Sequence, residues 1–426
     1  MSVAAGPRRP PGRPKQPPPT VVPSPRVERL ARELSSGPDA TARFWEEVRH
    51  EGTPLVEPAE AVEERVVTFL WRDPGGAAAG ERTVALLANK LTDPSVWQES
   101  RLERLAGTDV WHRSYLMRAD WRATYQLAVA DQGEGEVEGP AAGPMSRWRG
   151  LVAAAGHDPL NPERFPARDG GAELSVVALR EAPAQPWCEE RPEVESGVVR
   201  ETTIESGALG EARRLWVRKP VRPGPAGLLV LLDGEDWVGR LGAPAILDNL
   251  EAEGRIAPLV AVMVDSLDRE RRWRDLACAP DFIEFLSAEL VPWVGARRDL
   301  DRRRTTIAGQ SLGGLTALCA ATRAPDVWGG AIAQSSSLWL APEGDGDGVG
   351  WDFREIAERP PTGTRLRIEV GLQEWILLAD HRRLRDLLAE AGVTVDYVEY
   401  EGGHDAICWR GGLAEALLDL SPADAG

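Results

Sequence analysis

The sequence predicts an α/β domain with a mainly parallel sheet, preceded by a smaller domain built from β-strands. Short strand-like segments separated by Gly, Pro and Asp fill most of the first half of the chain. From about residue 196, near-continuous apolar strand segments alternate with helical segments, which is typical of a parallel sheet covered by helices on both faces. A length of 426 residues also favours two or three domains over one.

The composition is that of a soluble globular protein that does not have nucleic acid as its main partner. The chain has 67 acidic and 50 basic residues and a formal net charge of −17. Such a surface does not attract a phosphate backbone, although a local arginine cluster can still bind an anionic small molecule. No run of about 18 apolar residues occurs, so no membrane span is expected.

The first domain follows a proline- and arginine-rich start. MSVAAGPRRPPGRPKQPPPTVVPSP contains no apolar stretch of a secretory signal, and we expect a disordered tail over residues 1–27. The apolar spacing in PRVERLARELSSG predicts a helix. Residues 28–190 are predicted to form a β-sandwich-like domain from segments such as RVVTFLWRD, RTVALLA and RATYQLAVA. The stretch DQGEGEVEGPAAGP within it predicts a flexible loop.

The four cysteines are far apart and none forms a C-x-x-C pair, which argues against a structural zinc site; they are Cys188, Cys278, Cys319 and Cys408. Free thiols in a reducing compartment fit this pattern, and a disulfide between two of them stays open. With the absence of a secretory signal, this predicts a cytoplasmic location.

The second domain is predicted over residues 196–422. Its strand-like segments include GLLVLLDG, APLVAVMVD, RTTIAGQ, GGAIAQSS, LRIEVGLQ and TVDYVEYEGG, and its helical segments include APAILDNLEAEGR, LGGLTALCAATRAP and DHRRLRDLLAEAG. Within it, GQSLG fits the pentapeptide G-x-S-x-G, with a predicted strand before it and a helix after it. This context predicts a nucleophile turn at Ser311 and an α/β-hydrolase fold for the domain.

A serine nucleophile needs a base, for which histidine is the usual residue. His404 follows the last predicted strand, at the sheet edge where Ser311 is expected, whereas we expect His381 on an exposed helix face. The acid should lie between Ser311 and His404 in the chain. We favour Glu374, which directly follows a strand, over Asp380 and Asp396.

An oxyanion hole needs two backbone N–H donors. Leu312 supplies one by its position after the serine. The other is expected from the loop after GLLVLLDG, where the candidates are Glu235, Asp236 and Trp237.

Several stretches resemble the enterochelin esterases, which hydrolyse catecholate siderophores. They are LLDGEDWV, RRWRDLACAPDF, TIAGQSLGGLTAL, AQSSSLW, VGLQEW and EGGHDAICWRGG in the second domain, and VTFLWRDP and DPLNPERFP in the first. The resemblance implies hydrolysis of ester bonds in a 2,3-dihydroxybenzoyl-serine lactone inside the cell, and it implies the triad Ser311, His404 and Glu374. Ser336 and Leu340 depart from the family pattern, which commonly has glycine and an aromatic residue there.

A ferric tris-catecholate is anionic and aromatic, so its site should offer arginines and aromatic rings. The charged segment DRERRWRDLAC predicts contacts from Arg272 and Arg274, while Trp237, Trp339 and Trp409 lie in segments at the expected site edge. We expect no metal ligand and no cofactor, with ferric iron arriving as part of the substrate. The alternative is a carboxylesterase or acyltransferase of the same fold acting on another ester.

Overall fold

The structure, a computed structural model, describes residues 17–37, 39–131, 144–297, 300–340, 355–356 and 358–420. These residues divide by their contacts into two compact units. The N-terminal unit is Gln16–Pro183 together with Glu401–Ile407, and the C-terminal unit is Ala184–Tyr400 together with the residues from Cys408 onward. The division lies close to the domain boundary that the sequence predicts between residues 190 and 196.

The start of the described chain is ordered where the sequence predicts a disordered tail. The Leu116 N–H donates to the Thr20 carbonyl oxygen at 2.9 Å, and the Val22 N–H donates to the Ser114 carbonyl oxygen at 3.2 Å. The prediction of disorder up to residue 27 is wrong for this stretch, because backbone hydrogen bonds hold it along a strand. Residues 1–16 of the predicted tail and 132–143 of the predicted loop lie outside the described residues.

The N-terminal unit contains three helices and two sheets among its described residues. Its helices are α1 (Pro25–Glu33), α2 (Ala40–Glu51) and α3 (Pro144–Ala154). Its strands are β1 (Leu55–Pro58), β2 (Glu64–Arg72), β3 (Arg82–Ala88), β4 (Glu103–Arg104), β5 (Val110–Arg118), β6 (Arg122–Asp131), β7 (Ala155–Gly156), β8 (Arg164–Phe165) and β9 (Leu174–Ala178). The first helix confirms the prediction from PRVERLARELSSG.

The two sheets of this unit pack face to face. One sheet has the order β1-β2-β5-β4, and the other has the order β3-β6-β9-β8 with β7 beside β6. Phe69 of the first sheet contacts Tyr125 of the second, with ring centroids 4.9 Å apart. Alternating buried residues of both sheets form one core. The predicted β-sandwich-like domain is therefore confirmed.

The C-terminal unit is built on one large sheet, with helices α4 to α11 between and after its strands. The strands are β10 (Val198–Ser206), β11 (Glu211–Lys219), β12 (Ala226–Leu232), β13 (Leu259–Val264), β14 (Leu300–Gln310), β15 (Gly330–Gln334), β16 (Arg365–Gly371) and β17 (Val395–Tyr400). The helices are α4 (Gly234–Val238), α5 (Ala243–Ala252), α6 (Arg269–Asp275), α7 (Pro280–Glu284), α8 (Val291–Gly295), α9 (Leu312–Arg323), α10 (Leu378–Glu390) and α11 (Ala406–Leu420), with a π-helical stretch Phe285–Leu290 joining α7 to α8.

The described strands of this sheet lie in the order β10-β11-β13-β12-β14-β15-β16-β17. The pairs from β13 to β17 along this order are parallel, whereas β10, β11 and β13 pair antiparallel. Every residue of β12 and β13 is buried, which explains their continuous apolar sequences. The predicted α/β-hydrolase fold is confirmed. The carboxyl ends of the parallel strands meet at one edge, where ligands bind in such sheets.

The sequence does not establish two local features of this unit. The charged segment around Arg272 is the helix α6, which begins after Asp268, whose side chain accepts the Arg271 N–H at 2.8 Å. Cys278 and Cys319 form a disulfide, a pairing that the sequence leaves open. In the part of the chain that the structure describes, no helix combines the length and apolarity needed to cross a bilayer.

Candidate active site

The turn between β14 and α9 holds Ser311 in a rare backbone conformation. Ser311 has φ 57° and ψ −116° and is half-buried, and a positive φ is costly for a residue with a side chain. The backbone passes so close to itself that a Cβ on Gly309 would lie 2.5 Å from the Gly313 carbonyl carbon. The structure therefore has the tight strand–turn–helix that the pentapeptide predicts.

Hydrogen bonds fix this turn to the segment after β15. The Ser311 N–H donates to the Gln334 carbonyl oxygen at 2.9 Å, and the Ser337 N–H donates to the Ser311 carbonyl oxygen at 3.0 Å. The hydroxyl oxygens of Ser311 and Ser337 lie 3.2 Å apart. The predicted nucleophile thus stands at the carboxyl edge of the sheet with a second hydroxyl beside it.

Glu374 follows β16 and its side chain is fully buried. Its Oε1 accepts hydrogen bonds from the Ser335 hydroxyl at 2.6 Å, the Gly371 N–H at 2.9 Å and the Tyr400 hydroxyl at 3.3 Å. Burial and the Glu374 charge raise the pKa of Tyr400 well above its ordinary value, so the phenol stays a donor. These three donors hold the carboxyl group of Glu374 at the same sheet edge as Ser311.

The two rival carboxylates, Asp396 and Asp380, and the neighbour of His404, Asp405, all have positions or contacts that account for their presence without a catalytic role. Asp396 lies within β17 and accepts a hydrogen bond from Arg367. Asp380 lies in the first turn of α10, where an acidic residue stabilises a helix, and burial raises the pKa of its carboxyl group. Asp405 Oδ2 accepts the Thr124 N–H at 2.7 Å and the Thr124 hydroxyl at 2.8 Å.

We expect Glu374→Gln to lower kcat for ester hydrolysis by about 10²- to 10⁴-fold, because an amide cannot stabilise the imidazolium that forms on the base. Steady-state kinetics with a soluble aryl ester measure the effect. Asp380→Asn and Asp396→Asn serve as matched controls and should stay near wild type. A large loss in either control, with Glu374→Gln active, would move the acid role to that residue.

His404 lies between the end of β17 at Tyr400 and the start of α11 at Ala406, in the segment Glu401–Ile407 that includes the first two residues of α11. This segment belongs by its contacts to the N-terminal unit. The hydrogen bonds of Asp405 described above, and that from the Arg122 N–H to the Glu401 carbonyl oxygen at 3.2 Å, anchor the chain on both sides of His404. The base role of His404 stays a prediction.

His381 is fully buried, so its predicted exposure is wrong. Its Nε2 accepts the Ser336 N–H at 2.9 Å, which places the ring proton on Nδ1, and Nδ1 donates to the Leu377 carbonyl oxygen at 2.9 Å. The signal for burial was present in the sequence, because His381 shares helical spacing with the buried Leu384 and Leu388. His381 therefore supports the segment after β15.

Two of the four predicted oxyanion donors are committed to other bonds. The Asp236 and Trp237 N–H groups both donate to the Asp233 carbonyl oxygen, at 3.0 and 3.4 Å. This conflicts with their predicted role. Leu312 is the first residue of α9, where amides lack an acceptor within the helix. Leu312 and Glu235 stay the predicted pair of amide donors.

The two predicted substrate-binding arginines lie on α6 and both pair with carboxylates of the C-terminal unit. Arg272 Nη2 donates to Asp233 Oδ2 at 2.8 Å, and its Nε donates to the other carboxylate oxygen. Arg274, whose side chain is 52% exposed, pairs with Asp275 at 2.7 Å and with Glu211 at 2.6 Å. The pair of Arg272 occupies its Nε and Nη2 and not its Nη1, so the substrate contacts of Arg272 and Arg274 both stay predictions.

Two of the three predicted substrate-binding tryptophans use their indole N–H inside the unit. Trp237 is fully buried and donates to Gln310 Oε1 at 3.1 Å, which conflicts with stacking on a substrate ring. Trp409 is 8% exposed and donates to the Ser335 hydroxyl at 3.0 Å. The half-buried Trp339 lies 6.3 Å, centroid to centroid, from Trp273. Trp339 keeps partly exposed ring surface for a substrate.

Sequence reasoning missed the residues that connect these groups, namely Asp233, Gln310, Ser335, Ser337 and Tyr400. All but Ser337 lie at or next to the carboxyl end of a parallel strand, which is the available signal, and Ser337 lies in the segment that follows β15 (Gly330–Gln334). Within the described ranges, no three His, Cys, Asp or Glu side chains come together as a metal site requires. The arrangement of a strained serine and a buried carboxylate suits nucleophilic acyl transfer.

Comparisons with known proteins indicate esterase relatives for both the N-terminal and the C-terminal part of the chain. Residues 66–188 match the family described as enterochelin esterase, N-terminal, and residues 206–420 match the family described as putative esterase. The chain is 32% identical over 370 residues to the iron(III) enterobactin esterase of Escherichia coli K12, covering 83% of this chain and 90% of that protein. It is 31% identical over 408 residues to the iron(III) salmochelin esterase of Escherichia coli O6:H1, covering 92% and 96%.

Solved structures show the same relationship. The enterobactin esterase of Shigella flexneri, crystallised in the presence of enterobactin, is 30% identical with a TM-score of 0.73, covering 89% of this chain and 97% of that chain. The ferric enterobactin esterase of Salmonella typhimurium is 29% identical with a TM-score of 0.77, covering 89% and 98%. Because the matches extend through both the N-terminal and the C-terminal parts, this chain belongs to the enterochelin (enterobactin) esterase family.

Proposed function

We propose that this protein is a serine esterase that hydrolyses the ester bonds of a catecholate siderophore of the 2,3-dihydroxybenzoyl-serine lactone class. The observation that carries the proposal is the strained Ser311 turn at the carboxyl edge of the sheet. The relatives that match most of the chain's length are enterobactin esterases. The Ser311 turn alone does not distinguish a siderophore esterase from a general esterase of the same fold. The match of residues 66–188 to the family's N-terminal domain favours the siderophore.

In the proposed mechanism, Ser311 Oγ attacks the ester carbonyl carbon while His404 takes its proton. Glu374 orients the imidazole and stabilises its charged form. The Leu312 N–H and an amide after β12, for which Glu235 is the candidate, stabilise the oxyanion of the tetrahedral intermediate. His404 then protonates the departing alkoxide of the substrate's seryl group. In the second half of the reaction, His404 deprotonates a water that attacks the acyl-enzyme carbonyl carbon, and it returns this proton to Ser311 Oγ as the carboxylic acid leaves.

These steps use the chain's own side chains and amides, and we propose that no metal or cofactor takes part. Ferric iron belongs to the substrate. A tris-catecholate complex is anionic and presents flat rings, so we propose that Arg274 and Trp339 contact it. Cytoplasmic hydrolysis is part of the same proposal, and cell fractionation followed by activity measurement tests it.

We expect Arg274→Gln to lower kcat/KM for a ferric catecholate siderophore by about three- to tenfold at low salt, because its exposed charge is already shared with Asp275 and Glu211. The loss should shrink at high ionic strength, where screening weakens the wild-type attraction. Hydrolysis of a neutral aryl ester is the control and should not change. An equal loss on both esters would mean that Arg274 acts on the structure of α6 rather than on the substrate.

The proposed substrate class is tested by competition. Enterobactin, in ferric and iron-free forms, is added to the enzyme during hydrolysis of a neutral aryl ester, and kcat/KM is measured for each compound separately. The proposal predicts competitive inhibition and a higher kcat/KM for the siderophore. Turnover of the aryl ester without inhibition by either siderophore form would instead favour a carboxylesterase or acyltransferase for another ester.

A further inference from the structure

Three consecutive serines, Ser335, Ser336 and Ser337, form the segment directly after β15, which we call the serine segment. Its first residue contacts the predicted acid, because the Ser335 hydroxyl donates to Glu374 Oε1 at 2.6 Å. Its last residue contacts the nucleophile turn, because the Ser337 N–H donates to the Ser311 carbonyl oxygen at 3.0 Å. The serine segment therefore connects the acid to the nucleophile turn, with Ser336 between the two contacts.

The backbone of the serine segment is strained and closely packed. Ser335 has φ 47° without being glycine, and such a conformation persists only where surrounding contacts impose it. Its N–H donates to the Glu369 carbonyl oxygen at 2.7 Å, and its hydroxyl accepts the Trp409 indole N–H at 3.0 Å. A Cβ on Gly314 of α9 would lie 2.7 Å from Ser336 Oγ. The segment is thus held against α9 in a conformation that requires support.

His381 on α10 holds the middle of the serine segment. Its imidazole is fully buried, and Nε2 accepts the Ser336 N–H at 2.9 Å. Nδ1 donates to the Leu377 carbonyl oxygen at 2.9 Å, so hydrogen bonds fix the ring on both sides. The ring is neutral in this arrangement, because both nitrogens of an imidazolium are donors. A buried backbone N–H that loses its acceptor is costly, so this bond opposes displacement of the segment.

We propose that His381 is a positioning residue, which fixes the serine segment and thereby keeps Glu374 in register with the Ser311 turn. This inference rests on the proposed roles of Ser311 as nucleophile and Glu374 as acid. In this role His381 transfers no proton and contacts no substrate, because both ring nitrogens are bonded to backbone groups of the C-terminal unit. Its loss should therefore lower the turnover of every ester and leave substrate binding unchanged.

The test compares His381→Leu with His381→Gln in the full chain. Leucine removes the acceptor, whereas the glutamine Oε1 replaces Nε2 as an acceptor. The measured quantities are kcat and KM for a neutral aryl ester, and the rate constant for phosphonylation by a small neutral fluorophosphonate. We expect His381→Leu to lower kcat and the phosphonylation rate by about ten- to hundredfold, with KM within about twofold of wild type. His381→Gln should restore kcat to within about fivefold of wild type.

Leu384→Ala is the matched control for a loss of stability alone. Leu384 is buried on the same helix and belongs to the hydrophobic core of the C-terminal unit, so its truncation should lower Tm. At a temperature where every variant is folded, the kcat of Leu384→Ala should equal that of wild type. Ser311→Ala gives the blank for phosphonylation.

A double variant determines whether His381 acts through the acid. We expect His381→Leu combined with Glu374→Gln to lower kcat by no more than about threefold beyond Glu374→Gln alone. The reason is that an amide cannot stabilise the imidazolium of the base, so its exact position has little effect. Two losses that multiply in full would mean that His381 acts independently of Glu374, and would overturn the proposal.

Should His381→Leu not fold, Ser335→Ala decides, because it removes the contact between the serine segment and the acid; its kcat should fall by about three- to tenfold with KM unchanged. Wild-type kcat in His381→Leu or in Ser335→Ala would overturn the proposal, as would a loss in His381→Gln as large as that in His381→Leu. Both readouts use neutral reagents, so failure of the siderophore proposal would leave this inference standing. Wild-type kcat in Glu374→Gln would instead overturn it together with the acid role.

Discussion

Ser311→Ala should lower the turnover of any ester substrate by about 10⁴- to 10⁶-fold, because the hydroxyl oxygen is the atom that attacks the carbonyl carbon. The fold should stay intact. Alanine has a Cβ like serine and meets the same positive φ, so the substitution adds no backbone strain. Steady-state kinetics and a thermal unfolding curve on the same preparation measure both effects.

Ser337→Ala is the matched control for this prediction. Its hydroxyl lies 3.2 Å from that of Ser311, so it tests whether the neighbouring serine is the nucleophile instead. We expect Ser337→Ala to lose far less activity than Ser311→Ala, and we expect phosphonylation by a fluorophosphonate to continue in it. A tenth or more of wild-type turnover in Ser311→Ala would remove Ser311 from the mechanism.

His404→Ala should be nearly as inactive, with a loss of about 10⁴- to 10⁶-fold in kcat, because an unactivated serine hydroxyl is a weak nucleophile. The segment around His404 should remain in place, since the Asp405 bonds to Thr124 do not involve the imidazole. Steady-state turnover of an aryl ester and of the siderophore should fall together, because proton transfer is needed for both.

His157→Ala provides the control, because His157 is an exposed histidine of the N-terminal unit. Its kcat should match that of wild type. If His404→Ala kept wild-type turnover while another histidine variant became inactive, the base would be that other residue. A His404→Ala protein that has unfolded, as judged by circular dichroism, would be replaced by His404→Gln, for which the same loss is expected.

The features that the sequence predicts well depend on local chemistry or on burial that spans a whole segment. The turn at Ser311 follows from glycines that permit close backbone approach, so GQSLG and its flanking segments suffice to predict it. The fully buried β12 and β13 have uninterrupted apolar sequences. Glu374 lies after β16, as its place in the sequence predicts. Because parallel strands have their carboxyl ends at one edge of the sheet, this position also predicts that Glu374 lies at the edge of Ser311.

The features that the sequence does not predict depend on pairing between distant segments. Nothing within DRERRWRDLAC shows that Arg272 turns inward to Asp233, 39 positions earlier, while Arg274 stays exposed. The sequence around Trp237 is compatible with an aromatic residue that contacts substrate, yet Trp237 is fully buried and donates its indole N–H to Gln310. Runs of charged residues and aromatic residues can be either buried inside the protein or exposed at a site, and tertiary packing determines which of the two occurs.

We propose that Ser311 hydrolyses a catecholate siderophore ester. The most direct measurement is the product mass spectrum after incubation of iron-free and ferric enterobactin with wild-type protein and with Ser311→Ala. We expect linear fragments and 2,3-dihydroxybenzoylserine with the wild type, and an intact lactone with the variant. An intact lactone with a wild-type protein that still hydrolyses aryl esters, or the same fragments with Ser311→Ala, would rule out this role of Ser311.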